Sequence, residues 1–226
     1  MAVSVGMAGL LLGGCAPRGM RGGPEYTFVF IRTGPATGLS KERQDEAFRG
    51  HFSNMARLAR ERKLLVAGPL GEPRSDATHR GLWVFDTAST DEALDDGSTD
   101  PTVKLGIFVL SAHPLATGAP IRSLPRLEEE DEARRLADAS VPDEWEGRRY
   151  LLATHPWSKQ MARRVERRAG VLIAAKLYGH GTNGGDEVLL WLDAQTPEAA
   201  RAILPDADAW TLHGWYGSKM VGEMGR

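Results

Sequence analysis

The chain contains almost no cysteine. Cys15 is the only thiol among 226 residues, so an internal disulfide and a zinc site built from cysteines are both excluded. The histidines do not replace cysteine as metal ligands, because no two of them have the short helical spacing of a metal site. We therefore predict no metal centre.

The chain also lacks a large excess of positive or of negative charge. Lysine and arginine total 28 residues against 30 acidic ones, which gives a formal net charge of −2. Such a chain produces no broad positive field to attract nucleic acid, and its aromatic residues do not alternate with a basic surface stripe. We expect no nucleic-acid partner.

The motifs of several large enzyme classes are absent too. The sequence has no Gly-x-Ser-x-Gly nucleophile elbow. The glycine-rich segment at residues 179–185 lacks the lysine of a phosphate loop and is not followed by a helical pattern. That segment is predicted to be a hairpin connection, and no cofactor is predicted.

What the N-terminus does contain is a short apolar segment followed by the cysteine. Residues 2–12 are uncharged and mostly apolar, too short to span a bilayer but suited to the core of a secretory signal. Leu12, Gly13, Gly14 and Cys15 resemble the lipobox of bacterial lipoproteins, which implies cleavage before Cys15, acylation of its thiol and a stable membrane anchor on the extracytoplasmic side of the cell envelope. The alternative is translation from Met20 and a cytoplasmic product, since no lysine or arginine precedes Arg18.

Two parts of the chain repeat one hydrophobic pattern at a constant offset of 107 residues. LLVAGPL at residues 64–70 aligns with VLIAAKL at 171–177, and VFDTASTDEA at 84–93 aligns with WLDAQTPEAA at 191–200. At the same offset Leu105 falls on Leu212 and Phe108 on Trp215. Three matches in one register indicate an internal duplication.

Each copy is predicted to follow the order strand, helix, strand, strand, helix, strand. In the first copy we expect strands at residues 26–32, 64–67, 81–86 and 103–110, and helices from Ser40 to about Arg62 and from Ser89 or Thr90. In the second we expect strands at 150–154, 171–178, 187–193 and 210–216, and helices at 158–169 and from Thr196. This is the ferredoxin-like plan.

The first copy also resembles a known family. Its segments YTFVFIR (residues 26–32), GHFSNMARL (50–58), LLVAGPL (64–70) and RGLWVF (80–85), with the pair Asp100–Pro101, are similar to those of YCII-related domains. The resemblance implies the dimeric α+β barrel fold, in which two ferredoxin-like units pack sheet against sheet. Here one chain can supply both units as an intrachain pseudo-dimer. Any further oligomeric state stays open.

The predicted organisation has five parts. They are a lipoprotein signal peptide (residues 1–14), a flexible tether (15–23), the YCII-like domain (24–115), a charged linker with a solvated helix (116–148) and a second, degenerate ferredoxin-like unit (149–220).

His51 and Asp100 are the candidate catalytic residues. From spacing alone His51, on the apolar stripe of the first helix, is more simply a core histidine, and Asp100 before Pro101 a cap or turn residue. The family resemblance implies instead that the two form an active-site dyad, with the carboxylate fixing the imidazole tautomer. At the repeat offset these positions hold Ser158 and Ala207, so the second copy is predicted to lack the dyad.

The remaining histidines offer weaker candidates. His79, His113, His155 and His180 fall at predicted strand ends or in loops, and His213 lies on a strand face that periodicity cannot assign.

Two functions are therefore weighed. One is a small-molecule site, enzymatic or not, between the two sheets; the other is a non-catalytic structural or protein-interaction module of the cell envelope.

Overall fold

The structure is a computed structural model that describes residues 19–20, 22–138, 140 and 145–224. Eight strands lie in this part of the chain. They are Tyr26–Thr33 (β1), Leu64–Gly71 (β2), His79–Phe85 (β3), Phe108–Thr117 (β4), Gly147–Pro156 (β5), Val171–Gly181 (β6), Gly185–Leu192 (β7) and Thr211–Ser218 (β8).

Six α-helices join these strands. They are Lys41–Arg60 (α1), Thr90–Ser98 (α2), Pro101–Lys104 (α3), Leu124–Ala137 (α4), Lys159–Val165 (α5) and Pro197–Ile203 (α6), all within the described residues. The hydroxyls of Ser40, Ser89 and Thr196 cap α1, α2 and α6 by accepting backbone N–H groups of the first turn. The helix starts predicted at these three residues are confirmed.

The strands close into one antiparallel barrel. Their order is β1-β3-β2-β8-β5-β7-β6-β4, and β4 returns to β1. Within β1–β4 and within β5–β8 the neighbours are the same, since the first strand of each set pairs with the third and the fourth. The two sets meet at short seams, of which β2 with β8 has two paired positions, Leu70 with Trp215 and Gly71 with Gly214. The predicted α+β class is confirmed.

The apolar side chains form one cluster inside the barrel and two outside it. Phe28, Leu82, Leu152, Trp191 and Trp215 are all buried in the interior. On the outside, one cluster lies beneath α1 and α2 and the other beneath α5 and α6. Successive side chains of a strand point alternately into the barrel and out towards the helices, and both sides are buried. This explains why the strands have nearly continuous hydrophobic sequences.

The strand predicted at residues 103–110 is wrong in its first half. Residues 101–104 form α3, and β4 begins only at Phe108. The side chain of Asp100 accepts a hydrogen bond from the backbone N–H of Thr102 and caps this short helix, with Pro101 in its first turn. Gly106, at φ +68°, then reverses the chain before β4.

The linker helix and the first helix of the second half also differ from the prediction. The helix α4 was expected to be solvated, but Leu124, Asp131 and Arg135 are buried where it packs on β2 and on the short 3-10 helix Lys219–Glu223. The helix α5 ends at Val165 rather than at residue 169, and a turn closed by the Arg168 N–H on the Val165 carbonyl follows, before Gly170 reverses the chain at φ +83°.

Candidate functional site

The first helix and the segment before α3 bring His51 and Asp100 together. His51 lies in the middle of α1 on the face that packs against the sheet, and Asp100 caps α3. Nδ1 of His51 lies 2.9 Å from Oδ2 of Asp100, and both side chains are buried. The two residues singled out in the sequence are therefore hydrogen-bonded partners in the fold.

The carboxylate of Asp100 is held from several sides. Its Oδ1 accepts the backbone N–H of Thr102 at 2.9 Å and the Thr102 hydroxyl at 2.5 Å, while Asn54 donates to Oδ2 at 3.4 Å. Burial raises the pKa of Asp100, but the hydrogen bonds from His51 and Thr102 outweigh it and hold that pKa below the ordinary value. Asp100 is thus an ionised, fixed acceptor at neutral pH.

A fixed acceptor at Nδ1 determines what the imidazole can do. Because an ionised Asp100 can only accept, the neutral ring is expected to carry its hydrogen on Nδ1 and to leave a lone pair on Nε2. No hydrogen bond from the described residues reaches Nε2. The ring stacks beside the indole of Trp83, at 5.8 Å between centroids and 24° between planes, which fixes its orientation. The arrangement suits a general base or a hydrogen-bond acceptor.

The His51 ring lines a small, mostly apolar pocket. Its volume is about 200 Å³, and it lies between α1 and the outer face of the sheet. The other lining residues are Ile31, Phe48, Phe52, Met55, Gly68, Pro69, Arg80, Gly81, Trp83 and Phe108. Arg80 is the one charged residue among these.

The position of this pocket differs from the expectation of a site between the two sheets. The space between them is the barrel interior, which Phe28, Trp191 and Trp215 fill. Ile31 and Trp83 of the pocket belong instead to the cluster on the outside of the barrel, beneath α1. The amphipathic pattern of α1 predicted an inward-facing histidine but could not tell which side of the sheet α1 covers.

The corresponding place in the second half has no such pair. Ser158 caps α5 by accepting the backbone N–H of Met161, and Ala207 lies in a short 3-10 turn. The helix α5 has 7 residues against 20 in α1, so it has no position equivalent to His51 above the sheet.

Four histidines that sequence reasoning left aside meet at one end of the barrel interior. The rings of His79 and His180 stack on Phe30 at 4.4 and 4.6 Å between centroids, and the His113 ring lies 5.1 Å from that of His180. His213 faces inward from β8, where it pairs with Leu152. We call these four residues the barrel-end histidines.

Burial governs the charge of the barrel-end histidines. It lowers the pKa of His113 and of His213 to about 4, and that of His79 also falls below its ordinary value. Ser111 lies 2.9 Å from Nε2 of His113, and Glu187 lies 2.5 Å from Nδ1 of His180. The sequence carries little signal for this cluster, since each ring comes from a different strand and only barrel closure joins them.

The part of the chain that the structure describes contains no group of three or more His, Cys, Asp and Glu side chains arranged to hold a metal ion. None of its helices has both the length and the apolar character needed to cross a bilayer. Cys15, the predicted lipidation site, lies outside the described residues.

Comparison with known proteins gives no further assignment. Neither a scan against protein-family models nor a search of curated proteins found a match to this chain.

Proposed function

We propose that the chain is a YCII-related protein that binds a small molecule in the pocket beside His51. In this proposal Nε2 of His51 is the base or acceptor that meets the ligand, and Asp100 is the positioning residue that fixes the ring. The observation that carries the proposal is the 2.9 Å contact between His51 Nδ1 and a fully buried carboxylate, with the ring lining a pocket.

The fold proposed for this function is an intrachain pseudo-dimer of two ferredoxin-like units. Its support is the identical neighbour order within β1–β4 and within β5–β8. The sequence offset adds to this, because β2 starts at Leu64 and β6 at Val171, 107 residues later. In this reading the second unit closes the barrel and contributes no dyad.

The tautomer of His51 tests the proposed role of Asp100. In a ¹⁵N spectrum of the imidazole side chains, the neutral His51 ring is expected to have a protonated Nδ1 and an unprotonated Nε2. Asp100→Asn, whose amide can donate as well as accept, is expected to change this distribution. Ser53→Ala, at a serine on α1 whose hydroxyl bonds only its own helix, is a matched control and is expected to leave it unchanged. A protonated Nε2 in the unmodified protein would contradict the role proposed for Asp100.

A non-catalytic interaction module is the second candidate. A mostly apolar groove of about 740 Å³ runs along β2 between α1 and α4, and the exposed aromatic residues Phe52, Trp145 and Tyr216 line it. Exposed apolar surface of this kind favours binding of a partner. His51→Ala separates the candidates, because it removes small-molecule binding in the first case and leaves partner binding intact in the second.

The proposed location is the bacterial cell envelope, through a lipid anchor on Cys15. Its support is the sequence Leu12-Gly13-Gly14-Cys15 after an apolar segment. We expect Cys15→Ala to abolish incorporation of radiolabelled palmitate and to release the protein from the membrane fraction, whereas Ser4→Ala leaves both unchanged. An unmodified protein that is already unlabelled and free of the membrane in its native cells would show that the anchor is absent.

A further inference from the structure

A β-bulge decides where the side chain of Arg80 lies. On β1, Ile31 pairs with Gly81 and Arg32 with His79, so Arg80 has no partner opposite it. Strict alternation along β3 would place Arg80 on the same face as Leu82, which is inside the barrel. The bulge turns Arg80 outward, where it is exposed and lines the His51 pocket.

The same bulge sends the neighbouring His79 inward. His79 is buried and stacks on Phe30, although strict alternation would place it on the outer face with Trp83. A single irregularity thus exchanges the faces of two residues. Its effect at the pocket is to bring a guanidinium group to a wall that is otherwise apolar.

The guanidinium of Arg80 has unused hydrogen-bonding capacity. Its Nε donates to the hydroxyl of Thr33 at 2.7 Å, which fixes the plane of the group. Among the described residues no carboxylate lies within 4 Å of it. A planar fork with free N–H groups matches a carboxylate, which it can bind through two parallel hydrogen bonds.

The rest of the pocket selects an apolar body of limited size. The rings of Phe48, Phe52, Trp83 and Phe108 form much of its wall, and its volume of about 200 Å³ is below the roughly 300–1,000 Å³ of sites for drug-sized ligands. Flat apolar walls suit an aromatic or similarly unsaturated group. The carboxylate would lie at Arg80 and the apolar body against the aromatic walls and the His51 ring.

We propose that the ligand of the His51 pocket is a small aromatic or similarly apolar monocarboxylate, with Arg80 as its anion-binding residue. This inference rests on the function proposed above, since it takes the His51 pocket as the binding site. It adds the chemical class of the ligand and one specificity-determining residue.

Benzoate and benzamide test the inference, because they have the same shape and differ in charge. Binding is measured by titrating each compound into the full-length protein and following the indole N–H signal of Trp83 by NMR. We expect benzoate to bind at least tenfold more tightly than benzamide. Arg80→Gln is expected to weaken benzoate binding about ten- to a hundredfold and to leave benzamide binding unchanged.

Two further variants control for charge and for geometry. Arg49→Gln makes the same change of net charge on an exposed face of α1 outside the pocket, and it is expected to leave benzoate binding unchanged. Arg80→Lys retains the charge but loses the fork, so we expect an intermediate loss of affinity. Because Arg80 is exposed, each variant should retain the backbone amide spectrum of the unmodified protein.

The inference is overturned if benzamide binds as tightly as benzoate, if neither binds, or if Arg80→Gln leaves benzoate binding unchanged. The hydrogen-bonded pair of His51 and Asp100 is tested separately, by the ¹⁵N spectrum of His51 in the ligand-free protein. If benzoate binds no more tightly than benzamide but His51 shows the expected tautomer, only the proposed ligand class is rejected. A different tautomer with benzoate binding intact would reject the dyad alone.

Discussion

Lowering the pH from about 7 to about 4 is expected to destabilise the protein by about 3 kcal/mol through His213, and by less through His113, whose side chain is only half-buried. Burial in the barrel interior lowers the pKa of both side chains to about 4, whereas their ordinary value is 6.5. Below about pH 6.5 the unfolded chain therefore binds protons that the folded protein excludes. The stability contributed by each neutral ring is complete above that pH and is lost as the pH falls towards 4.

The surroundings of the two rings support this direction. The charged and titratable groups at this end of the barrel are His79, His180, Glu187, Asp76, Arg32 and Arg74. Glu187 favours the charged form of His113 and His213, but burial is the larger effect on both, and positive charge on His79 or His180 opposes their protonation. Protonating one ring also makes it harder to protonate the next.

Urea unfolding at several pH values measures the effect. His113→Gln and His213→Gln each remove one titrating group, so each is expected to make the free energy of unfolding fall less steeply between about pH 6.5 and pH 4. Asp138→Asn is the contrasting control. Hydrogen bonds from Ser140 lower the pKa of Asp138, so its contribution to stability is lost only below its ordinary value of 3.8, and the slope above that pH should not change. A free energy of unfolding that stays constant down to about pH 4 would contradict the expectation.

Most of the fold could be predicted from the sequence where local chemistry and hydrophobic pattern agree. Capping hydroxyls identified the starts of α1, α2 and α6, and the 107-residue offset identified matching strands in the two halves. The start of β4 was wrong although the signal for α3 was present. An acidic cap followed by proline predicts a helical turn, whereas the apolar residues Val103 and Leu105 favour a strand.

The candidate site could be predicted only in part. Spacing alone favoured a core histidine at His51 and a cap at Asp100, and only the family resemblance implied a pair, whose side chains the fold brings to 2.9 Å. The position of the pocket on the outside of the barrel depends on how α1 crosses the sheet, which periodicity does not specify. The sheet faces on which the side chains of His79 and Arg80 lie depend on one unpaired residue in β3, and no residue pattern predicts that bulge.

Asp100→Ala is expected to destabilise the protein by about 3–5 kcal/mol. The carboxylate is fully buried, and its removal leaves the N–H of His51 Nδ1 and the backbone N–H of Thr102 without acceptors. It also removes the cap of α3. Asp100→Asn retains an acceptor oxygen of similar shape, so a clearly smaller loss is expected. Chemical denaturation at neutral pH measures both.

A double-mutant cycle then separates the pair from the rest of the network. His51→Ala removes the donor from Nδ1, so combining it with Asp100→Ala should cost less than the sum of the single changes, with a coupling of about 1–3 kcal/mol. Thr102→Ser keeps the hydroxyl and the backbone donor to Asp100, and as a control it should leave that coupling unchanged. Additive losses would mean that Asp100 acts chiefly as the cap of α3. In that case the base proposed at His51 would lack the carboxylate that fixes its tautomer, and the histidine would be a buried residue of the α1 interface.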